Sequence, residues 1–285
     1  MVSADDVVMA RSPNLQSFVA VVTGGTRGVG KGVAEALAEA GARVYVTGRS
    51  VSAADDAASN RRCAAETDLA GRCLAIRCDH TNDADTERAF GYVVDRERRI
   101  DLLVNAAWTG YERMVEDGQF TWSLPFWQQP TWRWDAMFNG GVRAAFVCSA
   151  YAARQMCARR SGMIVNISYW AARKYLGNAI YGAAKAATDK LTADMARELS
   201  DQNVTVVSMY PGLVRTELVM QSAEFMDLSN SESPQFTGRA IAHLFVDPRR
   251  HDRAGSVIVA AAYAHEIGFT DIDGRRPTPL TVETA

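Results

Sequence analysis

Residues 18–49 read FVAVVTGGTRGVGKGVAEALAEAGARVYVTGR, and the order of features in that stretch decides the fold. FVAVVTGG (18–25) is a short apolar run ending in Thr-Gly-Gly, the pattern of a buried strand. In the GVGKGVAEALAEAG that follows, Val29, Val33, Ala36, Leu37 and Ala40 fall at helical spacing, and Gly41 stops the helix. ARVYVTGR (42–49) is a second strand. Strand, glycine turn, helix and strand together make a βαβ unit, which needs a parallel sheet.

The same alternation continues outward. An alanine-rich, charged segment (53–69) predicts a helix, RCLAIRCD (72–79) a strand, 83–98 a helix and DLLVNAA (101–107) a strand. Residues 133–160 predict one long helix, GMIVNIS (162–168) a strand, 179–200 a helix and VTVVSMY (204–210) a strand. A helix near 235–246 and a strand near 256–261 close the series. Apolar, β-branched strands alternating with helices require a parallel sheet covered on both faces. The expectation is an α/β chain: a single doubly wound domain over 1–285, with a seven-stranded parallel sheet flanked by helices. Residues 1–17 are an N-terminal extension and 264–285 a tail of unassigned role.

Two segments break the rhythm. Residues 108–134, WTGYERMVEDGQFTWSLPFWQQPTWRW, hold five of the six tryptophans, too long and too aromatic for a plain connection. Residues 213–234, after Pro211-Gly212, are a second candidate flexible segment. In a doubly wound sheet ligands bind beyond the carboxyl ends of the strands, where both segments emerge.

Composition narrows the function classes. Of 285 residues 48% are hydrophobic, and 31 basic against 33 acidic side chains leave a formal charge of −2. That balance gives no electrostatic case for a nucleic acid or an anionic membrane as partner. The five cysteines include no C-x-x-C, and the 4 histidines do not cluster with them. Thiols in a reducing compartment, and no metal, are the expectation. The N-terminus has no signal-peptide pattern and no apolar run approaches a span, so a cytoplasmic location is expected.

The turn TGGTRGVG spaces Gly24, Gly28 and Gly30 as G-x-x-x-G-x-G. It follows a strand and opens a helix, the setting in which such a motif carries a pyrophosphate on free N–H groups. An NAD site usually places an acid at the end of the second strand to take the ribose hydroxyls. That place here reads Thr47-Gly48-Arg49-Ser50, and Arg27 lies inside the glycine loop. Two planar guanidinium forks suit a 2′-phosphate, so the cofactor expected is NADP(H).

One further pair has chemistry at helical spacing. Tyr181 stands four residues before Lys185 in NAIYGAAKAATDKLTADMAREL (178–199), on one helix face. An ammonium near a phenol lowers its pKa and lets it give a proton to a carbonyl oxygen or take one back. Of the neighbouring tyrosines, Tyr169 has Arg173 at that spacing and Tyr175 has Ala179.

The ordered motifs TGGTRGVG, CDHT, LLVNAA, an asparagine in the long helix, NIS, YGAAK and PGLVRT resemble the short-chain dehydrogenase/reductase family, from about residue 18 to about residue 216. In FWQQPTWRWDAMFNGGVRAAFVCSAYAARQM and MYPGLVRTEL the chain is most similar to the branch that includes dehydrogenase/reductase family member 1. The resemblance implies a Rossmann fold and a set of roles. Tyr181 matches the general acid/base, Lys185 the lysine that tunes it and holds the nicotinamide ribose, and Ser168, 13 residues before Tyr181, the serine that bonds the substrate oxygen. Asn139 matches the asparagine that anchors a water-linked proton relay. Gly24, Thr26, Arg27, Gly28, Val29, Gly30, Arg49, Asp79, Asn105, Pro211, Gly212, Val214 and Thr216 match the cofactor-binding positions. Asp79 corresponds to the residue beside the adenine, Asn105 to the one that steadies the sheet and cofactor pocket, and Thr216 to the one that touches the carboxamide.

Two departures stand out. Ala107 replaces a frequent glycine after LLVN, and Gly140-Gly141 follows Asn139 inside a helix, where each glycine costs about 1 kcal/mol. A kink exposing a carbonyl to the water relay, or a weak helix, would account for the two glycines. The activity implied is interconversion of a small, hydrophobic carbonyl compound and its alcohol. Trp108, Tyr111, Trp122, Phe126 and Trp127 are candidates for the substrate wall, unless the insert is only a satellite core. The rivals are an oxoacyl-thioester reductase, which would need a basic entrance near Arg113 and Arg133, and a cofactor-binding regulatory protein without turnover. A homodimer or homotetramer joined through the long helices is the expected assembly.

Overall fold

The strand, turn, helix and strand of residues 18–49 are β1 (Val19–Thr23), α1 (Gly28–Glu39) and β2 (Arg43–Gly48). They come from a computed structural model that describes residues 12–51 and 73–285. The predicted helix at 53–69 and Cys63 lie outside the described residues. All five residues of β1 are buried, as a strand covered on both faces must be.

The chain continues through β3 (Cys73–Arg77), α2 (Asp83–Glu97) and β4 (Leu102–Asn105). A short hairpin follows, β5 (Val115–Glu116) and β6 (Gln119–Phe120), and then α3 (Thr131–Met137) and α4 (Ala144–Arg159). Next come β7 (Gly162–Ile167), α5 (Ala179–Glu198), β8 (Val204–Tyr210), α6 (Glu217–Met220) and α7 (Pro234–Val246). β9 (Val257–Val259) and α8 (Ala260–Ile267) end the series.

Seven strands form one parallel sheet in the order β3-β2-β1-β4-β7-β8-β9. The order runs outward in both directions from the β1–β4 pair, so a crevice opens at the carboxyl ends of these two strands. Alternate strand residues feed two cores. Val22, Val44 and Val104 face Leu37 of α1, Phe236 of α7 and Tyr263 of α8. Val21, Leu103 and Ile164 face Phe90 of α2, Met156 of α4 and Met195 of α5.

Helix starts follow side-chain caps. The Asn82, Asn178 and Ser233 side chains accept from Ala84 N–H, Tyr181 N–H and Phe236 N–H respectively, and Pro234 occupies the first turn of α7. No described helix is long and apolar enough to cross a membrane.

The structure corrects two readings. The helix expected over 133–160 begins at Thr131 and is interrupted by a π segment, Phe138–Arg143, between α3 and α4. The strand expected near 256–261 is only three residues long and passes directly into α8, which Gly268 ends at φ +87°. A run of small apolar residues there carries no period that separates strand from helix. The tail then packs back on the rest of the chain. Asn230 and Thr278 exchange two hydrogen bonds of 2.7 and 3.1 Å, and Lys174 Nζ donates to the Ala285 carbonyl at 2.6 Å.

Candidate active site

The crevice at the ends of β1 and β4 is lined first by the glycine turn. Gly24 has φ +65°, and a Cβ there would lie 2.7 Å from Ala107 Cα; a Cβ on Gly30 would lie 2.4 Å from the Gly24 carbonyl oxygen. The turn therefore closes only with glycine. The Thr23 hydroxyl accepts from Ala106 N–H at 3.2 Å and Ala107 N–H at 3.1 Å, fixing the end of β4 beside it. Val29 packs partly on the core below, and Thr26 Oγ1 accepts from Ser50 Oγ at 2.9 Å.

The start of α1 has no side-chain cap and no acid in its first turn. Its exposed donor, Gly28 N–H, is taken by Glu217 Oε2 at 2.9 Å, from α6. An anion is thus already seated on the helix terminus, as the dipole favours. Arg27 and Arg49 both point at Glu112, with Nη2 to Oε1 distances of 3.5 and 3.1 Å. The glycine cradle, which leaves room for close backbone approach, and the anion-taking donors Gly28 N–H, Arg27 and Arg49 fit a dinucleotide.

The second part of the crevice is apolar. Tyr181 and Lys185 lie on the buried face of α5, with Lys185 Nζ 5.8 Å from the Tyr181 ring centre. Trp108, Tyr111 and Trp122 surround Tyr181 at ring separations of 5.8, 6.0 and 5.3 Å. The Tyr111 and Tyr181 hydroxyls are hydrogen-bonded. Lys185 Nζ sits 3.8 Å over the Trp108 ring and donates to the Ile167 carbonyl at 3.2 Å. Ser168 is buried at the end of β7, and its hydroxyl donates to the Lys185 carbonyl at 3.4 Å.

This enclosure sets the acidities. Burial, and then Tyr111, push the Tyr181 phenol well above its ordinary range. Burial raises Tyr111 to about 12 and brings Lys185 down to about 7. The sequence led us to expect Lys185 to lower Tyr181. Burial is the largest cause of both shifts, raising Tyr181 and lowering Lys185.

The insert holding those rings is a built unit. Arg133, fully buried, donates to the Thr121 carbonyl at 3.0 Å, Thr121 Oγ1 at 2.8 Å and the Arg113 carbonyl at 3.0 Å. Its guanidinium also lies 5.8 and 5.1 Å from the Trp122 and Trp132 ring centres. Asp117 and Gly118, both at positive φ, turn the β5–β6 hairpin. Asn178, besides capping α5, donates to the Trp122 carbonyl at 2.8 Å and ties the insert to the helix of Tyr181. Phe126 and Trp127 are 71% and 70% exposed; of the five candidate wall residues, these two lie away from Tyr181.

The glycines after Asn139 also gain a reason. A Cβ on Gly140 would lie 2.2 Å from Thr109 Oγ1, and one on Gly141 would lie 2.6 Å from Trp108 ring carbons. They let the π segment approach the start of the insert. Asn139 itself faces outward, beside Ala187 and Leu191 of α5, and its carbonyl accepts from Ala144 N–H.

The remaining predicted positions divide by depth. Asn105 Nδ2 donates to Asn166 Oδ1 at 2.8 Å and Ser149 Oγ at 3.0 Å, and Asn166 Nδ2 continues to Thr192 Oγ1 at 2.8 Å. This joins β4 and β7 to α4 and α5. Asp79 Oδ1 folds onto Thr81 N–H and Oγ1 at 3.0 and 2.7 Å. Pro211 and Val214 are buried, Gly212 N–H donates to the Glu232 carboxylate, and Thr216 caps α6. Glu232 is buried with one oxygen unpartnered, and burial raises it to about 7.

Sequence reasoning missed Glu112, Glu217, Glu232 and Asn178. Only Asn178 left a local signal, an amide three residues before Tyr181 at a helix start. The carboxylates of Glu112 and Glu217 reach their partners across 63 and 189 residues, and no spacing rule finds such pairs.

A family model described as short chain dehydrogenase matches residues 18–227. Dehydrogenase/reductase SDR family member 1 of Mus musculus is 37% identical over 279 residues, covering 92% of this chain and 85% of the relative. The 3-oxoacyl-[acyl-carrier-protein] reductase of Synechocystis sp. is 30% identical over 240 residues, covering 82% and 91%. A crystal structure of a short-chain type dehydrogenase/reductase from Mycobacterium marinum superposes with a TM-score of 0.70 at 26% identity, over 86% of this chain and 94% of that one.

Proposed function

The chain belongs to the short-chain dehydrogenase family, and on that premise we propose that it is an NADP(H)-dependent oxidoreductase interconverting a carbonyl and an alcohol on a small, hydrophobic substrate. The observation that carries this reading is the burial of Tyr181 and Lys185 side by side on α5, within the aromatic cluster at the mouth of the glycine-turn crevice. A bound nicotinamide would supply the hydride in reduction and take it up in oxidation.

The chain's own groups supply the rest. Tyr181 Oη moves a proton to or from the substrate oxygen. Ser168, at the end of the neighbouring strand, is the second donor to that oxygen once its hydroxyl turns from the Lys185 carbonyl. Lys185 holds charge beside Tyr181 and binds the ribose. Asn105 positions the strand ends through the buried amide chain, and Asn139 contributes through the backbone of the π segment. Gly24, Thr26, Gly28, Val29 and Gly30 hold the pyrophosphate, Arg27 and Arg49 the 2′-phosphate, and Asp79 borders the adenine. Pro211, Gly212, Val214 and Thr216 border the carboxamide. Trp108, Tyr111 and Trp122 exclude water and favour an apolar substrate. The outward cleft between α4 and α5, with Phe146 half exposed, suits the homodimer or homotetramer contact.

The relative named 3-oxoacyl-[acyl-carrier-protein] reductase favours a second reading in which the substrate is a carrier-bound oxoacyl group. The two arginines that could have formed a basic entrance argue against it. Arg133 is buried, and Arg113 is engaged by Glu116 and by the Trp132 ring at 4.7 Å.

The test follows NADPH and NADH oxidation by absorbance against aliphatic, cyclic, aromatic, dicarbonyl and oxoacyl-thioester compounds. Turnover with NADPH well above NADH is expected. Tyr181→Phe should cut turnover by orders of magnitude with NADPH affinity nearly intact, and loss of both together would sink the assignment.

A further inference from the structure

Each of the two anion sites of the crevice is filled by a carboxylate of the chain itself. Glu217 Oε2 takes Gly28 N–H at 2.9 Å, and Glu112 Oε1 sits between Arg49 and Arg27 at 3.1 and 3.5 Å. Neither is a neighbour in sequence. Glu217 opens α6, in the 213–234 loop, and Glu112 belongs to the aromatic insert. These are the two segments that cover the crevice.

Glu112 is also bound on its other side. Its Oε2 accepts from Gly110 N–H at 2.7 Å, so the carboxylate fixes the turn Trp108–Glu112. Trp108 in that turn lies on Lys185, and Tyr111 bonds Tyr181. One five-residue stretch therefore touches both the phosphate end and the proton-transfer end of the site.

We propose that Glu112 and Glu217 are internal counter-ions that latch the insert and the 213–234 loop over the crevice, and that the cofactor's 2′-phosphate and pyrophosphate displace them. The proposal rests on the dinucleotide reading given above and adds the selection and coupling. A dianionic phosphate can outcompete a carboxylate for two guanidinium forks, and a ribose hydroxyl cannot. NADH therefore leaves the Glu112 latch closed. When the 2′-phosphate releases Glu112, Trp108 and Tyr111 are free to leave Lys185 and Tyr181.

The test uses the full chain and fragments that lack the nicotinamide. 2′,5′-ADP and 5′-AMP differ only in the 2′-phosphate. By calorimetry at low salt, Glu112→Gln should tighten 2′,5′-ADP about threefold to tenfold, the size expected from removing two exposed ion pairs, and leave 5′-AMP unchanged. The gain should shrink in high salt. Glu217→Gln should tighten 5′-ADP and not 5′-AMP. In tryptophan emission, 2′,5′-ADP should produce a change that is lost in Trp108→Phe and in Glu112→Gln. Such a fragment cannot touch Trp108 with a nicotinamide ring, so the signal reports the latch.

If 2′,5′-ADP binds the unaltered chain but Glu112→Gln is neutral or weaker, the latch is wrong and the dinucleotide reading stands. Loss of 5′-AMP or NADH binding in Glu112→Gln would make it a ribose ligand and overturn the proposal. If neither NADPH nor the fragments bind, the cofactor reading fails and takes the latch with it.

Discussion

Replacing Gly140 with alanine sets two effects against each other. In an unconstrained helix the change would stabilise by about 1 kcal/mol. Here the new Cβ would lie 2.2 Å from Thr109 Oγ1, 2.9 Å from its Cγ2 and 3.1 Å from its Cβ. Thr109 cannot swing aside freely, since it is β-branched and its hydroxyl donates to the Ala136 carbonyl at 2.5 Å. Forcing a methyl into a packed contact costs about 1–3 kcal/mol, and breaking that hydrogen bond about 1 kcal/mol more. The net expectation is a loss of about 1–3 kcal/mol once the propensity gain is subtracted. Urea unfolding followed by tryptophan emission and far-ultraviolet circular dichroism measures it, with coincident transitions as the two-state check. Thr109→Ala removes the two nearest atoms, so the double variant should lose at least about 1 kcal/mol less than the sum of the singles. A Gly140→Ala protein as stable as the original, or strict additivity, would refute the idea that Gly140 exists for the approach of Thr109.

Burial brings both His80 and His243 from 6.5 to about 4. Between pH 6.5 and 4 the unfolded chain binds protons that the folded one refuses, so stability falls as pH falls, by about 1.4 kcal/mol per pH unit for each imidazole. Glu232, raised from 4.5 to about 7, binds its proton first in the folded state and opposes that slope. Glu232→Gln should therefore steepen the acid limb of a stability–pH curve by about one proton, and an unchanged slope would contradict it. Asn105→Leu strands Asn166 Oδ1 and the Ser149 hydroxyl in the interior, and should cost about 2–4 kcal/mol in chemical unfolding; a loss well under 1 kcal/mol would mean the amide chain is dispensable. Arg133→Met takes one donor from the Thr121 carbonyl, which Gln129 Nε2 still reaches at 3.3 Å, and removes the donor to the Arg113 carbonyl. Amide exchange over 113–129 should then rise while the far-ultraviolet spectrum holds, and unaltered exchange would show that the insert does not depend on this side chain.

The sequence by itself determined what depends on near neighbours. The period of Val29, Val33, Ala36 and Leu37 made α1, the all-apolar VAVVT made a buried strand, and G-x-x-x-G-x-G made a turn only glycine can close. The i, i+4 spacing put Tyr181 and Lys185 on one face. These are local instructions, because propensity and periodicity act over a few residues. The tertiary structure alone decided which faces meet. It turned Asn139 outward through a π segment, brought Trp108 onto Lys185, and buried Tyr181 and Lys185 deeply enough that desolvation is the largest influence on each acidity. It also carried Glu112 to two arginines and Glu217 to the start of α1. A carboxylate in an irregular loop obeys no period. Its partner is whichever cation or free N–H the folded chain leaves within reach, and that follows from the packing of the whole sheet and its covering segments.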